Sequence, residues 1–405
     1  MLKADPVRMK RRIDTIAGFT EEEGRITRRT YSQAWVQSTE YVKAEMEAMG
    51  MTVRMDSFGN LIGRFNPGNS AKKPYAIGSH IDSVQNAGAY DGVAGVVVGL
   101  EMISMLYDNK VIPKVPIEVL ATADEEGAIC QKGYFGARFM AGNMLMEELL
   151  SYRNIDGKNV EELRRESGIF ENTVFGMDNG WAKDYYERFY EVHVEQGNAL
   201  EANSRDVGIV QGVVGIGRLF IDFYGESDHA GPTLMQDRHD SMVAAADFIL
   251  KAWETGQADN GRAVTTVARI QNYPNIHNVI AGKTSLVFDY RAIEDSKAQE
   301  IKDKMKKYAL GLEGKYGVRT DIIREVYTPV KLFAPSLIEE IRGLNMPNSM
   351  ELYSWAGHDA KMFAELCDTT MIFMPSIGGK SHSPMEYTSI ESFELVCNNF
   401  IQLFL

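Results

Sequence analysis

Cysteine is scarce in this 405-residue chain: Cys130, Cys367 and Cys397 are the only three, and none sits in a Cys-x-x-Cys pair. That excludes a disulfide framework and a thiolate zinc site, and it suits a reducing, cytoplasmic setting. Long apolar runs are missing too. VAGVVVGL, one of the longest, falls far short of the ~20 residues that span a bilayer. The N-terminus MLKADPVRMKRR has no apolar segment behind its positive charges, so no signal peptide is expected. Basic residues are outnumbered, 43 against 56 acidic ones, and the net charge of −13 argues against a nucleic-acid or anionic-membrane partner. No His-Glu-x-x-His and no Gly-x-Ser-x-Gly occurs. GGKS resembles the end of a P-loop, but Met374 stands where its first glycine is required.

What is present is ordinary globular composition, 44% hydrophobic and 24% charged. The length favours two domains. The pattern predicts a helix over 32–49, a strand pair over 51–64 turning at Gly59-Asn60, a buried strand over 75–79, a helix over 92–106 and a strand over 115–121. Such alternation implies an α/β fold, a mixed, largely parallel sheet flanked by helices. From 211 the rhythm changes to β-α-β-β-α-β, with strands near 218–224, 265–271, 285–292 and 319–326 and helices near 239–255 and 296–312. That is a split βαβ unit, an inserted α+β domain of four strands and two helices. The expected division is 1–210 and 329–405 for the main domain and 211–328 for the insert.

Four short stretches carry the chemistry. In GSHID, His80 and Asp82 follow an apolar strand, and residues two apart in an extended chain point the same way. Asp82 is therefore placed to accept from the second nitrogen of a ligating His80. Asp91 stands just before a helix and reads equally as its N-cap. ATADEEG puts Glu125 and Glu126 after another apolar strand. Adjacent glutamates repel unless a cation or proton offsets them; a solvated acidic turn is the alternative. EVHVEQG places Glu191, His193 and Glu195 on one face of a strand, and SHSP holds His382 in a loop after MIFMP. Strand ends are where ligands gather in open α/β sheets. Of only seven histidines, 80, 193, 229, 239, 277, 358 and 382, three lie beside carboxylates within or after apolar strands. Nitrogen and oxygen donors without thiolate suit zinc, manganese, cobalt or nickel.

GSHIDSV, DEEG, HVEQG, HAGPT, AGHDA and SHSP, in this order, resemble the M20 metallopeptidase-type amidohydrolases, and within them the hydantoinase/carbamoylase branch: N-carbamoyl-L-amino-acid hydrolases, β-ureidopropionases and allantoate amidohydrolases. The resemblance runs over nearly the whole chain. It implies two divalent metal ions per subunit, one held by His80, Asp91 and His193, the other by Asp91, Glu126 and His382, with Asp91 as the bridge. It makes Glu125 the general base, Asp82 the residue that orients His80, and His229 the oxyanion donor, which the resemblance allows to come from a neighbouring subunit. Asn278 and Arg291 resemble the pair that binds a substrate carboxylate, an arginine fork suiting that group. Gln196 would add a hydrogen bond, and His358 would support the pocket; His239 and His277 are read as structural. The implied activity is cleavage of an N-carbamoyl-L-amino acid, or a similar ureido acid bearing a carboxylate, to ammonia and carbon dioxide. The implied assembly is a homodimer through the inserted domain, closing on substrate.

Departures from the family pattern fall outside these ligands. The run before Asp91 is AGAYDG, Glu-Glu-Gly is followed by AICQKGYFGAR over 128–138, Ala281 replaces a usual proline, and HAGPTLM and Trp355 replace HAGTTPM and a glycine. They leave the substrate more open than the reaction. Allantoate, an N-acyl amino acid and a peptide remain alternatives, and so does a non-catalytic protein with a decayed site.

Overall fold

The structure is a computed structural model that describes residues 2–129, 133–154, 156–170, 174–346 and 348–405. Cys130 and the middle of the 128–138 stretch lie outside the described residues. The chain divides into two compact units, Met1–Gly212 with Leu332–Leu405, and Val213–Lys331.

The larger unit is built on a nine-stranded mixed sheet. Its strands are β1 (Thr52–Met55), β2 (Leu61–Phe65), β3 (Tyr75–His80), β4 (Ile117–Thr122), β5 (Arg188–Val194) and β6 (Val207–Val213). The chain then makes the strands of the smaller unit, β7 (Gly215–Tyr224), β8 (Ala263–Tyr273), β9 (Lys283–Ala292) and β10 (Arg319–Thr328). It returns with β11 (Lys331–Leu332), β12 (Ser349–Ser354) and β13 (Asp368–Met374). The order is β1-β2-β4-β3-β5-β13-β6-β11, with β12 also on β6. Parallel pairing joins β4 to β3, β3 to β5 and β5 to β13; β1–β2, β2–β4 and β13–β6 are antiparallel. The four parallel strands therefore end at one edge, and the metal-ligand candidates lie in or just after them.

The two helices expected in the larger unit are present, and others join them, among them Phe135–Ala141, Val160–Ser167, Pro335–Arg342 and one at each end of the chain. Helix α1 (Pro6–Gly18) was not anticipated; Asp5 caps it, accepting from Val7 and Arg8. Arg8 and Arg12 of α1 both donate to Glu101, which is fully buried in the helix Val93–Asp108. Helix α2 (Gln33–Ala48) starts at a Ser32 N-cap. Helix α3 (Val93–Asp108) is buried along almost its whole length. It lies so close to the sheet that a Cβ at Gly95 would meet the Val192 carbonyl at 2.4 Å. Helices cover both faces of the sheet. Neighbours in a strand point oppositely, and in β5 the ring of Phe189 stacks on Phe363 at 3.9 Å while Tyr190 meets Phe400 of the helix Ile390–Phe400.

The smaller unit has an antiparallel sheet in the order β10-β7-β9-β8. Inward residues Leu219, Ile221 and Phe223 alternate along β7 and pack with Phe248 and with Ile301 and Met305. Those come from the helices Ser241–Gln257 and Asp295–Tyr316, so both helices cover the same face. The order of elements is the β-α-β-β-α-β read from the sequence. Among the described residues no helix is long and apolar enough to cross a membrane.

Candidate metal centre

His80 is the last residue of β3, and its Nδ1 lies 3.0 Å from the Asp82 backbone carbonyl. His193, near the end of β5, has its Nδ1 2.8 Å from the Val194 carbonyl. Each Nδ1 thus spends its proton on a carbonyl, which leaves Nε2 with a lone pair to offer a ligand. The Gly92 amide donates to His193 Nε2 at 3.1 Å, consistent with an acceptor there. Gly92 is required twice over: its φ is +67°, and a Cβ would lie 2.4 Å from the His80 ring.

Asp91 lies between the imidazoles. Its Oδ1 is 3.4 Å from His80 Nε2 and 3.2 Å from His193 Nε2, while Oδ2 is 3.3 Å from His382 Nε2. His382 Nε2 is in turn 3.4 Å from Glu126 Oε2. Two groups result, His80–Asp91–His193 and Asp91–Glu126–His382, each with its donor atoms within 4.8 Å of one another. The N-cap alternative for Asp91 does not hold: Gly92 caps α3, and no side chain bonds the helix end.

The separations fit a metal. Two ligands ~2.0–2.1 Å from one tetrahedral ion stand ~3.4 Å apart. The four nitrogen–oxygen edges here run from 3.2 to 3.4 Å, longer than the ~2.7–2.9 Å of a charge-assisted hydrogen bond. Glu126 Oε1 is buried with no partner, as expected of an oxygen that awaits a cation. Electrostatics agree. Burial raises Asp91, but His193, His382 and His80 outweigh it and hold its carboxyl well below the usual range. Burial pushes Glu125 well above its ordinary value, with His80 opposing and Glu126 adding to the rise. Burial and then Asp91 push Glu126 up to about 7. Carboxylates this crowded need protons or a cation to coexist.

The remaining candidates divide by unit. Glu125 Oε2 is 3.7 Å from His80 Nε2, beside the first ligand group. Asp82 differs from expectation in the atoms it uses. Its carboxylate lies 3.8 Å from His80 Nδ1 and instead accepts the backbone N–H of Glu125 at 3.3 Å and of Glu126 at 3.1 Å. It holds the glutamate pair, and its carbonyl serves the histidine. Gln196, expected at the substrate, donates to Asp91 Oδ2 at 2.7 Å. Its φ of +62°, one of three non-glycine left-handed residues around the site with Asp124 and His382, belongs to the turn that carries it there. His358 is buried and packs edge-on against His193, ring centroids 4.5 Å apart. Burial, then His193, holds it well below its ordinary pKa, so it is neutral.

In the smaller unit the backbone joins the His229 and Asn278 segments: Ala230 N donates to the Asn278 carbonyl, and Ile280 N to the Asp228 carbonyl. The Gly231 amide donates to His229 Nδ1 at 3.0 Å, which leaves Nε2–H as the exposed donor of the neutral ring. Arg291, in β9, pairs with Asp289 at 2.9 Å.

Asp359, Ser381 and Glu386 carry no signal of their own in the sequence, and Glu191 shows there only as a polar residue on its strand face. Glu191 accepts from Ser79 Oγ and from Ala360 N, both at 2.7 Å, tying β3 and β5 to the His358 loop. Asp359 takes the Thr122 hydroxyl. Ser381 donates to Asp91 Oδ2, and Glu386 accepts the amides of Tyr90 and Asp91.

Comparison with known proteins agrees with this architecture. Peptidase family M20/M25/M40 matches residues 76–405. The chain is 31% identical to an N-carbamoyl-L-amino-acid amidohydrolase of Paenarthrobacter aurescens, over 96% of this chain and 95% of that one. It is 32% identical to an allantoate amidohydrolase of Bacillus subtilis, over 92% and 90%. The crystal structure of a hydantoinase/carbamoylase family amidase from Burkholderia multivorans superposes with a TM-score of 0.87 at 27% identity, covering 100% of this chain and 97% of that one. Fold, ligand groups and relatives converge: the chain belongs to peptidase family M20/M25/M40, among its amidohydrolases.

Proposed function

We propose that this chain hydrolyses a C–N bond of an N-carbamoyl-L-amino acid, or a similar ureido acid with a carboxylate, releasing ammonia and carbon dioxide. Two divalent ions, zinc, manganese, cobalt or nickel, would be held by His80, Asp91 and His193 and by Asp91, Glu126 and His382. The observation that carries this reading is Asp91, whose two oxygens face different histidines. Such ions polarise a carbonyl and lower the pKa of water from ~15.7 towards ~7.

The chain's own residues do the rest. Glu125, raised by burial, takes a proton from the attacking water and returns it to the leaving amine. Asp82 fixes the backbone that presents Glu125 and Glu126. His229 donates through Nε2–H to the carbonyl oxygen as charge develops on it, and Asn278 and Arg291 take the substrate carboxylate. Gln196 and His358 support Asp91 and His193. Thorough chelation should abolish activity and a divalent metal restore it. Glu125→Gln should keep its metal and lose about 10²–10⁴ in turnover; activity that survives metal removal contradicts the mechanism.

Allantoate is the second reading, since a relative with that activity is as similar as the carbamoyl hydrolase. Ammonia release from N-carbamoyl amino acids, allantoate and N-acyl amino acids separates the three, and a peptide panel tests the peptidase alternative. We also propose a homodimer through the smaller unit. Its edge strand β8 is open on one side, and the adjoining helix Ser241–Gln257 exposes Val243, Leu250 and Trp253.

A further inference from the structure

We propose that Glu386 is the positioning residue for the shared ligand: it clamps the peptide of Asp91 so that one carboxylate serves both ligand groups. The inference rests on the two-ion reading above and goes beyond it by naming what holds the bridge in place.

Glu386 is 5% exposed, and its carboxylate is occupied on both oxygens. Oε2 accepts the Tyr90 amide at 2.9 Å and the Asp91 amide at 3.1 Å. Oε1 accepts from Ser381 Oγ at 3.0 Å. That hydroxyl also lies 2.9 Å from Asp91 Oδ2, so its single proton is shared between the two carboxylates. The clamp therefore grips Asp91 at its backbone and, through Ser381, at its side chain. Ser381 precedes His382, so the loop that supplies one ligand also positions the other.

Packing leaves this arrangement little freedom. A Cβ at Gly88 would stand 2.2–2.6 Å from Glu386 atoms, so only glycine admits the carboxylate there. Tyr90 meets Tyr387 edge-on with ring centroids 5.9 Å apart. The run AGAYDG, which departs from the family pattern before the aspartate, is the surface that receives Glu386 and Tyr387.

A carboxylate buried beside Asp91, with no ion pair to a cation among the described residues, is costly. Burial and then Asp91 raise Glu386 above its ordinary value.

The test counts metal against time. Protein loaded with cobalt(II) is placed in excess chelator well below its melting temperature, and ions per chain are followed by absorbance and elemental analysis. His382→Ala should lose one ion quickly and keep the other. Glu386→Gln disturbs the residue common to both, so both ions should leave about 10–100-fold faster than from the parent. Ser381→Ala and Gly88→Ala should accelerate both in the same way, and they decide the matter if Glu386→Gln fails to fold. A fall in thermal stability with parental release rates overturns the clamp, as does selective loss of one ion. A parent that holds fewer than two ions sinks the two-ion reading itself, and the clamp with it.

Discussion

Asp82 shows how much a single carboxylate in this site depends on its surroundings. Its carboxylate takes two successive backbone amides, those of Glu125 and Glu126. In Asp82→Asn one oxygen becomes an NH₂ facing an N–H, and one of the two bonds is lost. Turnover should fall about 10–100-fold, as for other residues that orient a metal site, with metal content retained. Parental turnover would show that the glutamate pair needs no support. At this scale the sequence was most legible where chemistry forces residue type. Histidines beside carboxylates at strand ends pointed to His80, Asp91, His193 and His382 because few other roles need that pairing. Glu386 and Ser381 were not legible, and of Glu191 only its strand face was, not its partners. A buried glutamate that accepts backbone amides leaves no pattern in spacing, since its partners lie up to hundreds of residues away. The bond from Gln196 to Asp91 was not legible either, because the left-handed turn that carries it is invisible without coordinates.

The two helices of the smaller unit are tied by one acid. Asp247, on Ser241–Gln257, accepts from Tyr308 at 2.6 Å, Lys315 at 2.6 Å and Tyr316 at 2.7 Å, all on Asp295–Tyr316. Some burial opposes ionisation, but Lys315 and the two phenols outweigh it and lower the carboxyl from 3.8 to about 2. A lowered folded-state pKa stabilises above the unfolded value and loses that contribution as pH falls through the folded one. The melting temperature of the parent should therefore exceed that of Asp247→Asn fully above pH ~4, and the gap should close as pH falls from ~4 towards ~2. A gap independent of pH would mean the acid acts by packing alone. Periodicity made both helices and all four strands of this unit readable, because each presents one apolar face to one core. The larger unit was harder. β6 and β7 are separated by Val214 alone, so the sequence runs on without a turn signal between strands of different sheets. Helix α1 was missed because its first turns carry Arg8 and Arg12, whose partner is the distant, buried Glu101.

For the molecule as a whole, the open claim is assembly. Val243, Leu250 and Trp253 lie on one face of their helix at i, i+7 and i+10, and are 45%, 64% and 62% exposed. Beside them β8 is the edge strand of its sheet among the described residues. Exposed edges and apolar faces are normally covered. The parent should scatter light as a dimer, and Leu250→Asp with Trp253→Asp should yield a folded monomer that still binds metal. A monomeric parent, or a dimer that tolerates both changes, would move the interface elsewhere. The fold class followed from alternation and from the change of rhythm near 211. The substrate did not, because the ligand and base motifs report the reaction and carry no information on the group attached to the scissile bond. Whether Asp91 joins two ions is decided by anomalous diffraction from zinc- or manganese-loaded crystals. Two peaks per chain are expected, each ~2.0–2.2 Å from a different Asp91 oxygen, one beside His80 and His193, the other beside Glu126 and His382. A single peak, or two peaks that both bypass Asp91, would contradict it.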